Sequence, residues 1–179
     1  MILSKIKYRK GISGVCFLFL FFILQITSIN AQSLKVLLKQ GEEAMNDKDY
    51  FSAAQIYNRI ILMDSANIDF QYKYATASRL NADVEIADHW YQKVFKKDNG
   101  KLYPETAFWL ATIKKSEGKY KEAKKLFTKY AGKNKSSKDP AKKQMAAKAK
   151  NEAEACDLSL ILIKNPLPTK VEHLDSMVN

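Results

Sequence analysis

Residues 50–57 read Tyr-Phe-Ser-Ala-Ala-Gln-Ile-Tyr, and their pattern returns twice. Tyr50, Ala53 and Tyr57 are followed 34 residues later by Val84, Ala87 and Tyr91, and 36 residues after that by Tyr120, Ala123 and Phe127. Each set is a large residue, a small one three positions on, and an aromatic four further. On an α-helix these offsets share one face. The small residue admits a neighbouring helix closely, and the two large ones fill the space on either side. Such a triplet at this spacing predicts an all-α chain of stacked helix pairs.

Working outward, the first pair spans about residues 34–67. Its first helix carries Leu34, Leu37, Leu38, Gly41, Ala44 and Met45 at spacings of three and four, and Asp47–Lys48–Asp49 makes the turn. The second helix runs from Tyr50, with Asp49 placed as its N-cap, and buries Tyr57, Ile60 and Ile61. The second pair spans about 68–101, with Tyr74–Ala75 in its first helix, Asp83 before its second, and Ala87, Trp90, Tyr91, Val94 and Phe95 as the apolar face. Asn99–Gly100 is a stop signal, glycine being free to take the left-handed conformation that ends helices. The third pair, about 104–137, opens on Pro104, whose missing N–H costs nothing at a first helical turn. Ala107, Phe108, Trp109, Leu110 and Ala111 supply its first helix, and Glu117–Gly118–Lys119–Tyr120 its turn.

Ser136 to Pro140 breaks the pattern, and Asp139 followed by Pro140 starts a long helix over about 139–164. Met145, Ala149, Ala153, Cys156 and Leu160 line one stripe of it, and Leu158 to Ile163 is strongly apolar. The expectation is a capping helix over the last repeat. Asn165-Pro-Leu-Pro stops it, and residues 165–179 read as a linker or tail.

Only the first thirty residues differ in composition. Lys5, Lys7, Arg9 and Lys10 precede an apolar run from Val15 to Leu24, and Ala31 stands just before Gln32. This is the layout of a signal peptide over residues 1–31, cut at Ala31–Gln32. The alternative is an uncleaved anchor, although the run is shorter than the ~20 residues a spanning helix needs. Cleavage leaves 26 basic against 19 acidic residues, and Cys156 as the sole thiol, read as a small buried apolar residue.

No catalytic constellation emerges: the six glycines are scattered, and His89 and His173 lie in different segments. Cys156 has no partner at metal spacing. The expectation is a non-enzyme with no cofactor, no metal and no small-molecule substrate. Charge is more informative. Residues 114–150 hold 14 lysines against Glu117, Glu122 and Asp139, and no arginine. Lys121, Lys124, Lys125, Lys129, Lys133, Lys135, Lys142 and Lys143 mark this basic surface. It reads either as a solvated outer face or as a seat for an acidic partner, an anionic surface or an acidic wall polymer. Nucleic acid fits poorly, because bidentate arginine recognition is absent.

The period and the triplets resemble the tetratricopeptide (TPR) repeat, which implies a helix–turn–helix solenoid of three repeats with a long C-terminal capping helix. By repeat position, the resemblance implies a concave protein-binding face made of Lys35, Leu38, Glu42 and Met45, then Asp69, Tyr72, Thr76 and Arg79, then Glu105, Phe108, Thr112 and Lys115. The paired Lys/Asn clamp of chaperone-binding repeats is absent. With the leader, the long helix, Asn165-Pro-Leu-Pro and the tail Val171, Leu174 and Val178–Asn179, the chain also resembles the N-terminal repeat module of exported Bacteroidetes-type envelope proteins. In those a repeat domain precedes a β-propeller and an OmpA-like domain, and some belong to type IX secretion and gliding. The resemblance implies a periplasmic, outer-membrane-associated assembly scaffold. The alternative is an inner-membrane-anchored protein whose lysine face meets anionic lipid or wall polymer.

Overall fold

In the computed structural model the described residues are 33–166 and Pro168; the leader at 1–31 and most of the 165–179 tail lie outside them. The described chain is all-helical. Its helices are α1 (residues 33–46), α2 (Tyr50–Met63), α3 (Ile68–Leu80), α4 (Val84–Asp98), α5 (Glu105–Ser116), α6 (Tyr120–Asn134) and α7 (Pro140–Lys164). They fall into two compact units, α1–α3 up to Asp83 and α4–α7 from Val84.

The start signals act as their chemistry dictates. Asp49 accepts the Ser52 N–H at 3.0 Å, and Asp139 accepts the Ala141 N–H at 2.9 Å with Pro140 as the first helical residue. Asn67, which the sequence reading passed over, caps α3 by accepting the N–H groups of Asp69 and Phe70. At the stop signal Asn99 and Gly100 are both left-handed, at φ 53° and 72°.

Three turns share one geometry. Lys48, Ala82 and Gly118 each sit left-handed, at φ 62°, 65° and 74°. Each donates its N–H three residues back, to Met45, Arg79 and Lys115, and the next residue donates five back, to Ala44, Ser78 and Lys114. These are Schellman-type helix ends, which favour glycine at the left-handed position. Only Gly118 has it. Because a left-handed residue with a Cβ costs about 1–2 kcal/mol, Lys48→Gly and Ala82→Gly should each raise stability. The net gain is about 0.5–1 kcal/mol after glycine's own entropy. Gly118→Ala should lower it by a similar amount. Denaturant titration of the three variants checks this.

In the first unit α2 packs on α3, and its buried face is Ala53, Ala54, Tyr57, Ile60 and Ile61. Gly41 of α1 lies close against α2: a Cβ there would stand 3.0 Å from the Tyr57 ring. In the second unit α5 packs on α4 and α6, and α6 on α7. Ala87 and Ala123 are fully buried, as is Ala53 in the first unit, and the aromatic four residues after each is at most 2% exposed. The leading large residue behaves differently. Val84 is 43% exposed and Tyr50 and Tyr120 are half-buried, because each is the first residue of its helix and lies at the edge of the packed face.

The α4–α5 loop hangs from Asp98. Its carboxylate accepts the N–H groups of Leu102 and Tyr103 at 2.8–3.0 Å, and the residue is 6% exposed. Burial pushes its pKa up, but the N–H donors of Tyr103, Leu102 and Lys101 outweigh that and hold it below the usual carboxylate value. Asp98→Ala should therefore cost about 2–3 kcal/mol. A depressed pKa means the stabilisation is present above the unfolded-state value and is lost as pH falls through the folded one. Acid unfolding of Asp98→Asn, followed below about pH 4, should accordingly be less pH-dependent than that of the parent.

The capping helix departs from expectation at its far end. Ala146, Ala149, Ala153 and Cys156 are buried, and burial raises the Cys156 thiol pKa. Leu158, Ile161, Leu162 and Ile163 are instead 50–62% exposed. The helix outruns the two helices it packs against, so its most apolar turn is uncovered.

Candidate functional site

A groove of ≈ 420 Å³ lies between α1 and α3 in the first unit. Glu42, Met45 and Asn46 form one wall, Tyr72, Lys73 and Thr76 the other, and Tyr57 of α2 the floor. Gly41 makes the floor possible, since any side chain there would press on the Tyr57 ring. Burial raises the Tyr57 phenol pKa, so the floor stays a neutral hydroxyl. Across the groove Lys73 Nζ donates to Glu42 at 2.6 Å. Burial pulls the Lys73 ammonium pKa down, but the Glu42 bond and the surrounding negative charge leave it raised. The result is a shallow slot with a charged clasp, a neutral hydroxyl and apolar edges. Such a slot suits a peptide-like ligand offering both backbone polar groups and an apolar side chain.

Four of the residues assigned by repeat position, Glu42, Met45, Tyr72 and Thr76, meet in this groove. Lys35, Leu38, Asp69 and Arg79 lie on the same two helices outside it, Lys35 exposed and the other three half-buried. Lys73, Asn46 and Tyr57 line the groove as well, although repeat position assigns none of them to the binding face. Lys73 was legible only as the residue beside Tyr72; its partner, 31 positions away, was not.

One of the third repeat's assignments, Phe108, needs correction. Phe108 is 2% exposed, edge-on to Phe127 and Tyr130, and it belongs to the core because α7 covers that side of α5. Lys115 is tied to Glu152 of α7 at 2.6 Å. Thr112 remains exposed and Glu105 half-exposed.

The basic surface is also less uniform than its composition. Lys124 pairs with Asp157 at 2.7 Å, while Lys129 and Lys133 donate to the side chain and backbone of Asn99. Lys121, Lys125, Lys135, Lys142 and Lys143 make no ion pair among the described residues, and all but half-exposed Lys142 are exposed. His89 is exposed and edge-on to Trp90. No group of three or more metal-ligating side chains occurs among the described residues, and no described helix is long and apolar enough to cross a membrane.

Similar architecture appears in solved TPR-type proteins. The Yersinia enterocolitica type III secretion chaperone SycD, in complex with a peptide of the translocator YopD, aligns over 72% of this chain and 95% of its own. The TM-score is 0.60, at 16% identity. The Sgt2 TPR domain of Aspergillus fumigatus aligns over 82% and 93%, with a TM-score of 0.56 at 19% identity. MamA aligns over 80% and 82%, with a TM-score of 0.51 at 15% identity. At such identities the likeness is one of fold: helical repeats of the tetratricopeptide type. No protein-family signature and no curated protein matches the chain.

Proposed function

We propose that the protein is an exported, non-enzymatic scaffold that binds a protein or peptide through the α1–α3 groove during assembly of a cell-envelope complex. The observation that carries this is the groove itself: four residues assigned by repeat position converge there around a Gly41-dependent floor. The peptide-bound SycD structure supports a peptide ligand by likeness of fold. Export rests on the signal-peptide layout of residues 1–31. The periplasmic, outer-membrane setting and the link to type IX secretion rest on the resemblance to exported envelope modules.

A photo-reactive residue at Thr76 is expected to give a discrete protein crosslink in cells, and one at exposed Leu62 is not. Equal crosslinking at both positions, or none at Thr76, would overturn the groove. Mass spectrometry of the mature chain decides its setting. A chain beginning at Gln32 in the periplasmic fraction supports export, whereas one retaining Met1 in the inner membrane establishes the anchored alternative.

A further inference from the structure

A second groove, of ≈ 520 Å³, runs between α6 and α7 in the second unit. Its bed is made of small residues, among them Ala131, Gly132 and Ala147. A Cβ at Gly132 would meet nothing within 4 Å, so the bed is open and another helix could approach closely. The two ends differ in charge. At one, Lys135 and Lys143 face each other across the groove with no carboxylate partner among the described residues. At the other, Lys124 is already neutralised by Asp157. Helical spacing continues the α7 wall from Asp157 to Ile161, within the exposed apolar turn that ends at Ile163.

These features specify an occupant. From Lys143 to Ile161 is 18 residues of helix, about 27 Å, which suits a partner helix of similar length. It would carry acid where Lys135 and Lys143 stand and apolar residues along the alanine bed and the Leu158–Ile163 turn. A second copy of this chain meets the wrong charge, because a self-complementary pairing sets lysine-rich surface against lysine-rich surface. We propose that the α6–α7 groove seats an acidic amphipathic helix of a partner protein, independently of any ligand of the α1–α3 groove.

The test uses a fluorescein-labelled 18-residue peptide of leucine and glutamate with leucines at helical i, i+3, i+4 spacing. A permuted peptide of the same composition and anionic phospholipid vesicles serve as comparisons. Anisotropy with the purified protein should show the patterned peptide binding at least about tenfold tighter than the permuted one. Gly132→Phe fills the bed without entering the core, and the helix is expected to keep its circular dichroism. It should weaken binding by roughly tenfold or more, as should the double variant Lys135→Glu/Lys143→Glu. Ala147→Glu serves as a second block of the bed, at an exposed position. Equal binding of the two peptides would reduce the effect to undirected lysine charge and overturn the proposal. So would undiminished binding by both Gly132→Phe and Ala147→Glu, or vesicle binding in the absence of peptide binding.

Discussion

Replacing Phe108 with alanine is expected to cost about 3–5 kcal/mol of stability, against less than about 0.5 kcal/mol for Thr112→Ala four residues on. The Phe108 ring is 5.1–5.7 Å, centroid to centroid, from Trp109, Phe127 and Tyr130, edge-on to each, and Lys148 Nζ lies 5.8 Å above it. Edge-on aromatic pairs add to area burial, so truncation loses packing, quadrupole attraction and hydration free energy together. The surroundings are dry enough to push the Tyr130 phenol pKa up to about 12. Both tryptophans, Trp90 and Trp109, lie in the second unit, so tryptophan fluorescence during urea unfolding reports on that unit alone. A loss below about 1 kcal/mol would return Phe108 to the surface role that repeat position assigned it.

Lys114→Ala should cost about 3 kcal/mol or more. Lys114 is 7% exposed, and its ammonium lies 2.8 Å from the Asp88 carboxylate on α4 and 3.1 Å from Glu117. Truncation leaves Asp88 half-buried beside a void, with only Gln92 to donate to it. Burial lowers the Lys114 pKa, but the bonds to Asp88 and Glu117 outweigh it and leave it raised. With a raised pKa, the ammonium's contribution is complete below the unfolded-state value and fades only as pH rises through the folded one. The deficit of Lys114→Ala should thus be constant from pH 6 to 9 and shrink above about 10.5. The double variant Lys114→Met/Asp88→Leu should recover most of the loss, since an apolar pair of similar volume removes both desolvation costs. Fluorescence-monitored unfolding at several pH values checks both.

The fold was legible where information is local. Alanine and aromatic spacings, the Asp49 and Asp139 caps and the Asn99–Gly100 stop are each readable within a few residues. What escaped depends on residues far apart in sequence. The Lys114–Asp88 pair spans 26 positions and Lys73–Glu42 spans 31, and lysine-rich sequence gives no hint of which lysine finds which acid. The candidate groove was half legible for a related reason. Repeat position assigns residues as though every unit had the same neighbours, but α7 lies over the last one, so Phe108 is covered and Lys115 is paired to Glu152 while Met45 and Tyr72 line a groove. The uncovered end of α7 was misread because an apolar run looks the same whether it fills a core or awaits a partner.

The seam that holds α7 is made of alanines, and alanines say little about registry. Sliding the helix by one turn, about 5.4 Å, would seat Ala149, Ala153, Cys156 and Leu160 where Ala146, Ala149, Ala153 and Cys156 now sit. Three of the four would still be small enough to fit. Two ion pairs break this near-degeneracy: Lys115 of α5 grips Glu152 and Lys124 of α6 grips Asp157, at 2.6 and 2.7 Å. The Glu152 bond, chief among several causes, holds the Lys115 pKa above its usual value. Such part-exposed pairs are each worth under about 1 kcal/mol, so Lys115→Met/Lys124→Met should hardly move the unfolding midpoint. Its methyl NMR spectrum should nevertheless show doubled signals for Ala149 and Ala153, one set for each position of the helix. Small side chains set how near α7 lies, and opposite charges on two neighbouring helices set where along its axis it stops.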